Sequence, residues 1–106
     1  MLHPFFVRQN KVLRKVDPSD VMCLNTVGNY TRIYLSDKSH FMVRSTLFGA
    51  LKKLPPEIFI KTHRSFAVSV YFIDNVARDH LTVEDEVIPI GKRYYNRVIS
   101  RLNVIE

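Results

Sequence analysis

Phe59-Ile60-Lys61-Thr62-His63-Arg64-Ser65-Phe66-Ala67-Val68-Ser69 decides how this chain is read. Phe59-Ile60-Lys61 and Phe66-Ala67-Val68-Ser69 are short, apolar and rich in aromatic and β-branched residues, which reads as two strand pieces. Thr62-His63-Arg64-Ser65 between them is polar and reads as a loop carrying an arginine. An arginine so placed can span guanine O6 and N7, or it can be a solvated surface residue or an ion-pair partner. No pair of helices with a tight turn stands in the middle of the chain. Nucleic-acid contacts, if the chain makes them, would therefore fall to strands or loops.

Working back from this stretch, Pro55-Pro56 stops a helix whose apolar residues Leu47, Ala50, Leu51 and Leu54 recur at i, i+3, i+4 and i+7. Ser45 or Thr46 can cap it. Before it lie strands. Tyr30 to Leu35 alternates with period two, Ser36 to Ser39 turns, and His40 to Val43 returns. Val27-Gly28-Asn29-Tyr30 reads as a loop, because glycine tolerates positive φ. Val21 to Leu24 is a short buried strand, preceded by Asp17-Pro18-Ser19-Asp20 as a turn. Phe5 to Arg8 and Lys11 to Val16 are strands about a Gln9-Asn10 turn, and residues 1–4 are a flexible start to a domain covering 5–106.

Working forward, Asp74 to Arg78 and Leu81 to Val83 form a hairpin, and Glu86 to Ile90 adds a strand. Tyr94 to Val104 reads as a helix with Tyr95, Val98, Ile99 and Leu102 on its apolar face. The fold class is mainly β, with one short internal helix and a C-terminal helix.

Composition narrows the function. The chain has 106 residues, 46% of them hydrophobic, which suits one domain with its own core. Lysine and arginine number 16 against 10 acids, a net charge of +6, and this balance favours polyanion partners. The charge is also sided. Asp74, Asp79, Glu84, Asp85 and Glu86 crowd one stretch, whereas Val87 to Ile105 holds Lys92, Arg93, Arg97 and Arg101 and no acid. Arg93, Arg97 and Arg101, at four-residue steps, fall on one helix face and could follow phosphates or simply be solvated. The single cysteine, Cys23, excludes an intrachain disulfide and fits a reducing cytoplasm. No apolar run approaches the roughly 18 residues of a membrane helix.

Enzyme readings find little support. Only three glycines are present, with no Gly-x-Ser-x-Gly, no phosphate-cradling loop and no His-Glu-x-x-His. The four histidines and Cys23 show no metal-ligand spacing. Neither catalysis, nor a cofactor, nor a metal is expected. Cys23 lies in an apolar run and reads as an inert core thiol.

The string Phe59 to Val68 resembles the signature of the LytTR DNA-binding domain: a phenylalanine, a basic residue, then His-Arg-Ser-aromatic and an apolar pair ending in valine. Gly28-Asn29-Tyr30, Arg44-Ser45-Thr46-Leu47 and Ile88-Pro89-Ile90-Gly91-Lys92-Arg93-Tyr94 follow the family's other motifs in order, so the resemblance spans roughly residues 5–105. It implies small antiparallel sheets stacked along a long axis, with loops on one side reaching two successive major grooves and the minor groove between them. Asn29, Arg64 and Lys92 correspond to the contacting positions, and Tyr30, Ser65 and Arg93 adjoin them as DNA-binding candidates.

The resemblance further implies a bacterial transcriptional regulator binding double-stranded DNA. Such a domain is the output half of a two-component response regulator or stands alone, and it can act with a second copy on repeated half-sites. A receiver domain would lie outside this chain. The chain departs from the pattern at Ser69, where many members have asparagine, at Gly91, often serine, and at Lys92, arginine in some members. Lysine lacks arginine's bidentate fork, so Lys92 suits a phosphate as well as a base. Two other classes stay open from the residues alone: a basic β-domain for RNA or single strands, and a protein-interaction module using a sheet edge.

Overall fold

A computed structural model describes residues 3–106. Met1 and Leu2, the first residues of the expected flexible start, lie outside the described residues. β1 (Phe5–Gln9) and β2 (Val12–Val16) form a two-stranded hairpin. Its turn is Asn10-Lys11, one residue later than expected, and both residues take positive φ, 48° and 70°, the backbone that matches strand twist in a two-residue hairpin. Asp17 then caps a single 3-10 turn, Pro18–Asp20, by accepting from the Ser19 amide at 2.9 Å.

The central sheet has five antiparallel strands in the order β5-β4-β3-β7-β6. They are β3 (Val21–Val27), β4 (Tyr30–Leu35), β5 (His40–Val43), β6 (Phe59–His63) and β7 (Phe66–Ser69). β3 is buried on both faces, so its first four residues read as a continuous apolar run rather than an alternation. A register shift between Val21 and Cys23 changes the phase of side chains. As a result Val21 and Leu24 enter one core while Met22 and Cys23 enter the other.

The first core is closed by the β1–β2 hairpin through Val7 and Val16, and by helix α1 (Leu47–Leu51) through Leu47. The second lies beneath a three-stranded sheet, β8 (Ile73–Val76), β9 (His80–Val83) and β10 (Glu86–Pro89), in the order β10-β9-β8. Helix α2 (Tyr95–Ser100) adds Val98 to it. Hairpin, five-stranded sheet and three-stranded sheet thus stack into a molecule of 48 × 32 × 24 Å, the mainly β architecture expected.

Both helices are shorter than their apolar stripes. α1 is capped by Thr46, whose Oγ1 accepts from the Gly49 amide at 2.9 Å. It ends in tighter bonds, Lys53 N to Ala50 O and Leu54 N to Leu51 O, both 3.1 Å, and these carry Leu54 into the core without further α-helix. α2 stops at Ser100, and Arg101 and Leu102 close it with the same three-residue bonding. The loops are shorter too. Val27 pairs with Tyr30, and His63 with Phe66, so Gly28-Asn29 and Arg64-Ser65 are two-residue turns.

Candidate nucleic-acid interface

The first candidate turn, Gly28-Asn29, joins β3 to β4. Gly28 has φ +59°, and no atom lies within 4 Å of where its Cβ would be. Glycine is therefore required there by conformation, not by space. Asn29 and Tyr30 follow it and are exposed. Only Gly28 of this turn takes positive φ, so Asn29 is not the left-handed residue.

The second turn is held at several points. The Ser65 amide donates to His63 Nδ1 at 3.1 Å. The Thr26 amide donates to the Ser65 carbonyl at 3.0 Å, tying this turn to the root of the first. His63 is half-buried and meets Phe66 edge-on, ring centroids 5.8 Å apart. It shapes the turn. Arg64 projects from this frame, exposed, and no carboxylate lies within ion-pair distance of it among the described residues.

The third segment docks on the same frame. The Gly91 amide donates to the Thr62 carbonyl at 2.9 Å. A Cβ on Gly91 would sit 3.1 Å from Tyr94 Cδ2 and 3.7 Å from the His63 ring. Glycine at this position goes with the tyrosine ring packed over it. Lys92 and Arg93 follow in the turn leading to α2, both exposed. Lys92 borders a shallow depression with Arg78, Asp79 and Tyr95. Asp79 faces His80 instead, Oδ1 to Nδ1 2.8 Å, and that hydrogen bond holds its carboxyl below the usual range.

The three segments therefore adjoin, with Arg64-Ser65 between the other two. Asn29, Tyr30 and Arg64 line one concavity of about 350 Å³ with Thr46, Phe48 and Lys61, and no carboxylate lines it. Thr46, Phe48 and Lys61 were not foreseen as part of a site. Lys61 stands within the Phe59–Val68 string and could have been marked by its charge. Phe48, 65% exposed with Lys52 Nζ 4.6 Å from its ring centre, reads in sequence as an ordinary helix residue.

The C-terminal arginines do not form the continuous stripe expected of a long helix. Arg93 precedes α2. Arg97 lies over the Tyr94 ring, 5.4 Å from its centre, and Arg101 donates to the Pro56 carbonyl. Elsewhere, Cys23 is 8% exposed, and burial, helped by the charge of Glu86, pushes its thiol up to about 11, the state of an unreactive core thiol. No helix among the described residues is long and apolar enough to cross a membrane.

Comparison with known proteins agrees with this fold. The family model for the LytTr DNA-binding domain matches residues 11–103. The sensory transduction protein LytT of Bacillus subtilis (strain 168) is 28% identical over 95 residues, covering 84% of this chain. The chain spans 39% of that relative's length. The solved LytTr DNA-binding domain of a putative methyl-accepting/DNA response regulator from Bacillus cereus superimposes with a TM-score of 0.80 at 22% identity, covering 95% of this chain and 97% of that one. With its sequence matched over nearly its whole length and its three stacked sheets shared, this chain belongs to the LytTr DNA-binding domain family.

Proposed function

We propose that the chain binds double-stranded DNA sequence-specifically through its three adjoining turns, as the output domain of a bacterial transcriptional regulator. The carrying observation is the pair of backbone bonds, Thr26 N to Ser65 O and Gly91 N to Thr62 O. They fix Asn29, Arg64 and Lys92 relative to one another before DNA arrives, so little ordering entropy is lost on binding. The middle position of Arg64 suits the minor groove between two major grooves. An arginine there senses the narrow groove of A·T-rich steps rather than guanine O6 and N7. Asn29 is then placed for base edges in one major groove and Lys92 for a base or phosphate in the next. Tyr30, Ser65 and Arg93 can contact the flanking phosphates.

The relative LytT is named for sensory transduction and is much longer than this chain. A receiver domain controlling this one fits that name, and we extend the proposal to two copies on repeated half-sites. Duplex is favoured over single strands because the exposed aromatics Phe6, Tyr30, Phe48 and Tyr71 sit on separate elements, not side by side on one strand face as a stacking platform requires.

Selection of bound duplexes from a random pool tests the reading and yields the site. With about 4–6 phosphates neutralised, log K against log salt should slope at about −4 to −5. Equal affinity for single strands, or a flat salt response, overturns it. Replacing A·T by inosine·cytosine pairs at the Arg64 step changes the major-groove pattern and keeps an A·T-like minor groove, so retained affinity marks minor-groove use by Arg64 and lost affinity marks major-groove use.

A further inference from the structure

Phe48 is the second residue of α1, directly after the buried Leu47, and it is 65% exposed. A lone exposed phenylalanine elsewhere on a surface needs no explanation. This one lines the concavity that holds Asn29, Tyr30, Lys61 and Arg64, which no carboxylate borders. Its place beside the first turn is fixed by bonds. Thr31, next to Tyr30, pairs with Val43 at the end of β5. The fully buried Thr31 donates through Oγ1 to the Ser45 carbonyl at 2.8 Å, and Thr46 then caps α1. The start of β4 and the start of α1 are thereby tied together. Lys52 Nζ over the ring restrains it and sets a positive charge beside it.

The result is a held carbon surface among amides and cations. Phosphates and polar base edges offer such a ring no partner. In a major groove the apolar group is the C5-methyl of thymine, and the groove edge of adenine, N6 and N7, is what asparagine pairs with. An A·T pair shows both in one groove, so Asn29 and Phe48 together suit one A·T pair or two adjacent ones. We propose that Phe48 is a specificity-determining residue that packs its ring on a thymine methyl in the major groove entered by Gly28-Asn29. Contact removes both apolar surfaces from water, so thymine is preferred there over cytosine, which lacks the methyl. This assignment rests on the reading of the first turn as a major-groove element.

The test replaces each thymine of the selected duplex in turn by deoxyuridine, which removes the methyl and keeps every hydrogen-bonding group. The parent chain should lose about fourfold in affinity at one or two thymines, what burying one methyl is worth. Phe48→Ala should bind the unsubstituted duplex more weakly by at least about that factor, and should then be indifferent to deoxyuridine at the same positions. An exposed site and alanine's helix propensity keep the fold, which a thermal melt checks. The assignment is overturned if no thymine methyl matters to the parent, or if the sensitive thymines stay as sensitive in Phe48→Ala. It is also overturned if Phe48→Ala weakens specific and scrambled duplexes equally, the mark of a sugar–phosphate contact. Each of those results leaves duplex recognition standing. A selection that recovers no duplex overturns duplex recognition itself, and this assignment with it.

Discussion

The β6–β7 turn and the C-terminal segment are both basic and lie against each other, yet they use their arginines in opposite ways. Arg64 stands on a turn whose backbone is bonded to two neighbouring segments, and its guanidinium is left exposed. Arg97 and Arg101 belong to a short helix, and their guanidinium groups return to the protein, onto the Tyr94 ring and the Pro56 carbonyl. A rigid backbone with a free side chain suits recognition. A bonded guanidinium on a helix end suits packing, since arginine combines a planar cation with an apolar stem. Charge along the sequence does not separate the two cases; the hydrogen bonds do.

The largest expected effect strikes the frame beneath the turns. Leu24 is fully buried in β3, paired with Ile33 on one side and Ala67 on the other. Leu24→Ala should cost about 2–5 kcal/mol through lost burial and a cavity. A denaturant titration checks it, and duplex binding should fall only in proportion to the unfolded fraction. Leu51, half-buried on α1, should cost less than about 2 kcal/mol when cut to alanine, because part of its surface is already in water. Equal losses at the two sites would mean that the sheet does not carry the turns.

Next comes the contrast itself. Arg64→Ala should weaken the best duplex by about 1–3 kcal/mol while barely changing random duplex. Its melting temperature should stay near that of the parent, as expected for an exposed side chain. Paired titrations with specific and scrambled duplexes measure this. An equal loss on both would make Arg64 a phosphate grip, and the two regions would then differ less than proposed. Arg97 is stacked on Tyr94 but exposed and bonded to no acceptor among the described residues, so its charge still acts in water, and Arg97→Ala should act uniformly on all duplexes, flattening the salt slope by about one unit at most. Loss of its stacking on Tyr94 costs at most about 0.5–1 kcal/mol of stability.

The sequence was most legible where side chains alternate or where a residue type forces the backbone. β4 falls at the bounds that period two predicts, β5 where the chain returns from the Ser36–Ser39 turn, and the Gly28 turn lies where glycine marks it. Periodicity overran both helices, because Leu54 and Leu102 keep the apolar spacing through turns that are no longer α-helical. It was silent on strand order. β7 pairs with β3 across more than forty residues of chain, and no local pattern encodes such a partner. The meeting of Asn29 with Arg64 follows from that pairing, so it could be expected only through the family resemblance. Phe48 and Thr46 join the concavity for the same nonlocal reason, with α1 packed beside β3.

The smallest effect is the sharpest on the C-terminal segment. Arg101 closes α2, is exposed, and donates to the carbonyl of Pro56, in the connection between α1 and β6. Arg101→Ala removes one solvent-accessible hydrogen bond. Such substitutions stay within about 0.5 kcal/mol, so the melt should hardly move. DNA affinity and its salt slope should not change, because the guanidinium is turned toward the protein backbone. Arg97→Ala in the same titrations provides the internal standard for a modest phosphate contribution. If Arg101→Ala instead lowers the slope by about one unit, the side chain exchanges Pro56 for a phosphate when DNA is present. The C-terminal segment would then belong to the interface, and its arginines would join Arg64 as DNA-facing rather than packing groups.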